Sequence, residues 1–162
     1  MLVKDMLMWT LKTGGSKTNT PCFRVSIWEG WAERTNDEII EAIRNSWMKM
    51  VILPVRILDN PEVKILSEGL TWIGYTVVII TDADDSIETL RTIRNLTFSI
   101  YAKAPNSTEN HIDERNLPLL KEWDELIFEI DSEESYNDAY EFIRWKVVTR
   151  PTVIFRVSEW LK

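Results

Sequence analysis

Tyr75-Thr76-Val77-Val78-Ile79-Ile80-Thr81 is an unbroken apolar run between Gly74 and Asp82. A strand that is greasy on both sides has to be covered on both, which is the situation of a strand in the middle of a parallel sheet. Parallel neighbours cannot be joined by tight turns, so this one stretch demands crossover helices before and after it. The chain supplies them. Asn60 followed by Pro61 marks a helix start, Val63, Leu66, Leu70 and Ile73 form its buried stripe, and Gly74 ends it. On the far side, Asp85 with Glu88 reads as the cap of a short helix carrying Ile87, Leu90 and Ile93.

The same alternation extends in both directions. Met1 to Trp9 reads as an edge strand or anchoring segment, and 13–19 as a Gly, Ser and Thr loop. Cys22 to Trp28 reads as the first sheet strand. Thr35 and Glu38 form a capping box for a helix from about Asn36 to Met48, with Ile39, Ile43 and Trp47 at helical spacing. Met50 to Leu53 is the second strand, Thr97 to Lys103 the fourth, Glu125 to Ile130 the fifth and Thr152 to Val157 the sixth. Between them lie a helical turn started by Pro118 and a last helix capped by Asp131 and Glu134, on which Tyr136, Ala139, Tyr140 and Ile143 share a face. A chain of 162 residues holds one such domain, spanning 1–162.

Four of the strands differ from the central one in having a polar side. Arg24, Ser26 and Trp28 share one side of the first strand, Thr97, Ser99, Tyr101 and Lys103 of the fourth, Glu125, Ile127 and Glu129 of the fifth, and Thr152, Ile154 and Arg156 of the sixth. Burying one unpaired charge from this set costs several kcal/mol. Four strands cannot all lie at edges. The expected architecture is therefore α/β, a partial (β/α)6 barrel: a mostly parallel curled sheet with helices on its outer face and a hydrated, charged concave face within.

Composition bounds the function. A net charge of −7 and an isoelectric point near 4.8 argue against general binding to nucleic-acid backbones or anionic lipid. The apolar run near Met6 is too short and too closely flanked by charge for a membrane span or signal peptide. Cys22 is the only cysteine, which excludes an internal disulfide and fits a reducing, cytoplasmic setting. The absence of glutamine, with abundant Ile and charge, suggests a thermophilic source.

The order and spacing of segments resemble the radical SAM family, in particular the small 7-carboxy-7-deazaguanine synthases. Thr13-Gly14-Gly15-Ser16-Lys17, Phe23-Arg24-Val25-Ser26, Thr35 to Ile40, Asn60-Pro61-Glu62-Val63 through Val77, Ile100 to Pro105 and Trp123 to Phe128 are similar to that family's successive landmarks, with Lys103 at a family lysine. The departures matter more. The loop that should carry three cluster-ligating cysteines is Glu29-Gly30-Trp31-Ala32-Glu33-Arg34, and the Gly-Gly-Glu-Pro motif that should hold SAM is Pro54-Val55-Arg56-Ile57. The resemblance thus implies a scaffold without its iron–sulfur cluster and without reductive SAM chemistry, and no cofactor is expected. Trp28 and Trp31 flank the altered loop as apolar fillers, and the other tryptophans read as packing residues.

A second resemblance is to Toprim domains. Trp28-Glu29-Gly30 and Ile80-Thr81-Asp82-Ala83-Asp84 look like their Glu-Gly and Asp-x-Asp motifs, which implies Mg²⁺ on Asp82 and Asp84 with Glu29 as acid or base in phosphoryl transfer. Acids in such loops serve more often as helix caps and solvated turns. His111 is the sole histidine, so histidine-based triads have little to stand on.

The leading expectation is a non-catalytic or regulatory binding protein for a small ligand or a protein. Its candidate ligand-binding residues are Arg24, Ser26, Tyr101, Lys103, Glu129 and Arg156. In that arrangement Glu129 and Arg156 face each other across neighbouring strands, and the cations suit either a small anion or an ion-pair network closed among the residues themselves.

Overall fold

The computed structural model describes residues 35–56, 58–105 and 111–157, and the backbone of 2–3, 7–12, 19–24 and 27–28. In chain order the elements are β1 (Leu2–Val3), β2 (Leu7–Lys12), β3 (Asn19–Arg24), β4 (Ile27–Trp28), α1 (Asn36–Asn45), β5 (Met50–Pro54), α2 (Pro61–Ile73), β6 (Thr76–Asp82), α3 (Glu88–Arg91), β7 (Leu96–Lys103), a 3₁₀ helix (Glu114–Leu119), β8 (Glu125–Ile130), α4 (Glu133–Lys146) and β9 (Thr152–Val157). Seven strands form an open sheet in the order β2-β3-β5-β6-β7-β8-β9. Within this sheet β3, β5, β6, β7, β8 and β9 run parallel to one another, and β2 is antiparallel to β3 at one edge. The fold is α/β, and its parallel strands follow chain order without reversal.

Local chemistry sets the helix ends. The Thr35–Glu38 capping box forms, with the Thr35 amide donating to the Glu38 carboxylate at 2.8 Å. Asn60 accepts from the Glu62 amide, Pro61 opens α2, and Gly74 closes it at φ +102°, a left-handed conformation that glycine adopts without penalty.

Other ends differ from expectation. α1 stops at Asn45 because the Ser46 hydroxyl donates to the Ile43 carbonyl and accepts from the Met48 amide, turning the chain. Trp47 then has φ +62° and is 90% exposed, so it does not continue the Ile39–Ile43 stripe. Asp85 does not cap α3. The Ile87 amide donates to Asn116 Oδ1 instead, and Ser86 Oγ accepts from the Glu88 amide. The cap of α4 is Ser132 paired with Ser135, a spacing offered by the same run as Asp131 and Glu134. Asp113, accepting from the Arg115 amide, starts the 3₁₀ helix, and Pro118 lies inside it.

The expected first strand, Cys22 to Trp28, is two strands. β3 ends at Arg24, and Ile27–Trp28 pairs antiparallel with β1 in a separate two-stranded sheet. Alternation reports extended backbone, and it is silent about which sheet the backbone joins.

The strand faces divide as their side chains alternate. Val51, Leu53, Val77, Ile79, Phe98, Ile100, Leu126 and Phe128 share one core with Ile39, Ile43, Val63, Leu66, Leu70, Ile87, Leu90 and Ala139 of the helices. Ile52 and Val78 project from the opposite side and form a second small cluster with Met50 and Ile80, which among the described residues has no helical member.

One carboxylate ties three strands together. Asp124, just before β8, has a fully buried side chain that accepts from the Phe98 amide of β7 at 2.8 Å, from the Lys121 amide at 2.7 Å, and from Arg91 at the end of α3. Its backbone carbonyl accepts from the Thr152 amide of β9 at 2.9 Å. Arg91 in turn donates to the Leu96 carbonyl and lies 4.4 Å from the Phe98 ring centroid. Burial is the largest influence on both partners. It raises the Asp124 carboxyl above the usual carboxylate range against the pull of the two amides and Arg91, and it lowers the Arg91 guanidinium. A pair with that desolvation cost specifies geometry more than it adds stability, but removing one member strands the others. Asp124→Ala leaves two amides without an acceptor and the Arg91 guanidinium without its carboxylate, and urea denaturation should read a loss of about 3–5 kcal/mol.

Candidate functional site

Register places the candidate residues. On the side of the sheet that carries Ile52 and Val78, Lys103, Glu129 and Arg156 occupy one row across β7, β8 and β9, near the C-terminal ends of the strands. The row beneath it is Asp82, Tyr101, Ile127 and Ile154, and the next contains Ser99, Glu125 and Thr152. The C-terminal ends of parallel strands are where α/β folds gather their ligand-binding groups.

Glu129 and Arg156 are both exposed, and no ion pair joins them among the described residues. Lys103 and Tyr101 are half-buried. Deeper along the same face, the buried Ser99 hydroxyl donates to the Glu125 carboxylate at 3.0 Å, so Glu125 is engaged within the sheet.

Arg24 does not join this row. It pairs in register with Ile52, which is level with Val78 and then Thr97, six residues before Lys103 on β7. At strand rise that is about 20 Å along the sheet. Ser26 and Glu29 lie outside the described residues, as does Trp31.

Asp82 ends β6 and Asp84 follows it, both exposed. Among the described residues no group of three or more His, Cys, Asp or Glu side chains is close enough to hold a metal ion. Instead the loop is fastened from its backbone. The Ala83 amide donates to the Tyr101 carbonyl, and Asn116, buried in the 3₁₀ helix, donates to the Asp85 carbonyl at 2.6 Å while accepting from the Ile87 amide at 3.0 Å. Asn116 has no sequence signature, because its role depends on a contact 29 residues away. Partial burial, then the charges of Asp84, Asp82 and Asp59, raise the Asp85 carboxyl above its ordinary range.

The tryptophans depart most from expectation. Trp72 is 92% exposed, and Trp47, Trp123 and Trp145 are also exposed. Trp72 lines an open groove of about 690 Å³ with Ile65, Gly69, Ile93 and Asn95. Helical spacing cannot tell which side of a stripe's margin is covered, and no neighbouring element among the described residues covers Trp72 or Trp145. His111 is exposed in its loop. No described helix is long and apolar enough to cross a membrane.

No family model matches the chain, and neither the curated proteins nor the solved structures give a match. The loop 29–34, where the radical SAM resemblance would require cluster ligands, contains no cysteine, so its residues do not fit an iron–sulfur cluster.

Because the folded pKa of Asp85 lies above its unfolded value, the folded state takes up a proton as pH falls through that folded value, and the cost of burial and like charge is felt in full above it. Asp85→Asn should therefore raise the melting temperature at pH 7, with the gain fading as pH falls through the folded pKa. Millimolar Mg²⁺ should leave the wild-type melting curve unchanged. A clear Mg²⁺-dependent rise, lost in Asp82→Asn, would restore the metal reading.

Proposed function

We propose that this chain is a binding or regulatory protein that takes a small anion at the Lys103–Glu129–Arg156 row, on a radical SAM-like scaffold that has lost its cluster. In this reading the sheet curls into a partial (β/α)6 barrel with the helices outside, and the strand face that carries Ile52 and Val78 becomes the wall of a cleft. The observation that carries it is the row itself: two cations from separate strands flank one carboxylate at the C-terminal ends of β7, β8 and β9. A forked guanidinium can hold a phosphate or carboxylate through two hydrogen bonds, and a nearby ammonium adds a compact charge. Glu129 keeps the row from being wholly cationic, which favours a small anion over a polyanion.

Two observations support the binding reading over phosphoryl transfer. The parallel strands run in chain order, without the reversal around the first strand that a Toprim-like arrangement calls for. The acids Asp82 and Asp84 belong to a loop held by Asn116 through backbone groups.

Exposure of Arg156 supports a ligand site over a buried ion-pair network. A network member at that position would lose about 3–5 kcal/mol on truncation. An exposed cation loses within roughly 0.5 kcal/mol. Arg156→Met should therefore leave the melting temperature of the ligand-free protein almost unmoved and remove the rise that millimolar inorganic phosphate gives the wild type. No rise with phosphate or with small carboxylates in the wild type would overturn the anion assignment.

A further inference from the structure

The outer edge of β9 has the chemistry of an interface. In a parallel ladder successive residues direct their backbone groups to opposite sides. The Thr152 amide donates to Asp124 beside β8, so Thr152, Ile154 and Arg156 face β8 while Val153, Phe155 and Val157 direct their N–H and C=O groups away from it. Among the described residues no strand pairs with that edge. Natural sheets usually blunt such an edge with several charges, above all lysine, with a bulge or with a proline within the strand, and among its six residues β9 has one charge, Arg156, and no proline.

An exposed aromatic strip lies beside it. Tyr136 of α4 sits 5.0 Å from the Phe155 ring centroid and 6.3 Å from that of Tyr140, so this side of the helix borders the edge strand. Tyr136 and Tyr140 are 42% and 50% exposed, and Val157 is exposed as well. Glu133, Tyr136, Tyr140 and Arg144 fall at helical spacings of three, four and four, which puts all four on one flank of α4. The stripe has an acid at one end, two tyrosines in the middle and a guanidinium at the other. It is complementary to itself when reversed.

We infer that β9 and α4 form a twofold homodimer interface, in which β9 pairs antiparallel with β9 of a second copy. Pairing centred on Phe155 sets Val153 opposite the second copy's Val157, so all three outward-facing residues make their hydrogen bonds and each strand face continues across the junction. The two α4 helices then run antiparallel, with Glu133 facing the second copy's Arg144 and the tyrosines filling the space between. A twofold, self-complementary patch closes on itself and leaves no open edge at the junction. This inference stands on the strand edge and the α4 stripe, and it does not depend on anion binding.

Sedimentation equilibrium on the full chain from micromolar to several hundred micromolar tests it. The wild type should be a dimer, and Val157→Pro, which removes an outward N–H and no bond to β8, should raise the dissociation constant at least tenfold. Tyr140→Glu, on the exposed helix flank, should do the same without changing the circular dichroism spectrum. A wild type that stays monomeric throughout, including one that pairs only with another protein, overturns the inference. So does a dimer that both folded variants leave intact.

Discussion

The buried Asp124 carboxylate is the interaction on which the C-terminal half of the sheet depends. Its side chain holds β7 through Phe98 and α3 through Arg91, while its own carbonyl holds β9 through Thr152. Those bonds lie at the start of β8, and the register they set carries along the strands to the opposite end. Lys103, Glu129 and Arg156 share a row because Ser99, Glu125 and Thr152 share one four residues earlier. A slip of one residue at Asp124 would turn every side chain of β9 to the other face and send Arg156 into the core. An expensive buried charge is thus coupled to the position of exposed charges about 15 Å away, counting along the strand axis.

The second constraint is the two-sidedness of the strands. β6 is apolar from Val77 to Ile80, and β7, β8 and β9 alternate; among the described residues the helices share a core with one side of these strands. That division was legible in the sequence, because a period of two needs no knowledge of neighbours. Glu125 to Ile130 and Thr152 to Val157 match the observed strands end to end, and the Thr35 and Asn60 caps form as their spacing requires. The adjacency of Glu129 and Arg156 followed from strand order alone.

What could not be read were features whose partners lie far along the chain. Asp124 and Asn116 look like ordinary loop residues until β7 and the 3₁₀ helix bring Phe98 and Ile87 to them. Arg24 carried the right residue type on the right parity of an extended run, but register puts it level with Thr97 and away from Lys103. Where two caps competed within one acidic run, as at Asp131 and Ser132, composition could not choose between them, and the Ser132–Ser135 pair prevailed. The exposed tryptophans show the same limit from the other side, since periodicity identifies a stripe without saying where its covered part ends.

Amide-resolved NMR during titration with inorganic phosphate tests the central claim, that the charged row at the ends of β7, β8 and β9 is a ligand face. The account predicts saturable shifts confined to the neighbourhoods of Lys103, Glu129 and Arg156, with the loop around Asp82 to Ile87 unmoved. Shifts that centre on that loop, or shifts that spread over the surface and never saturate, would contradict it.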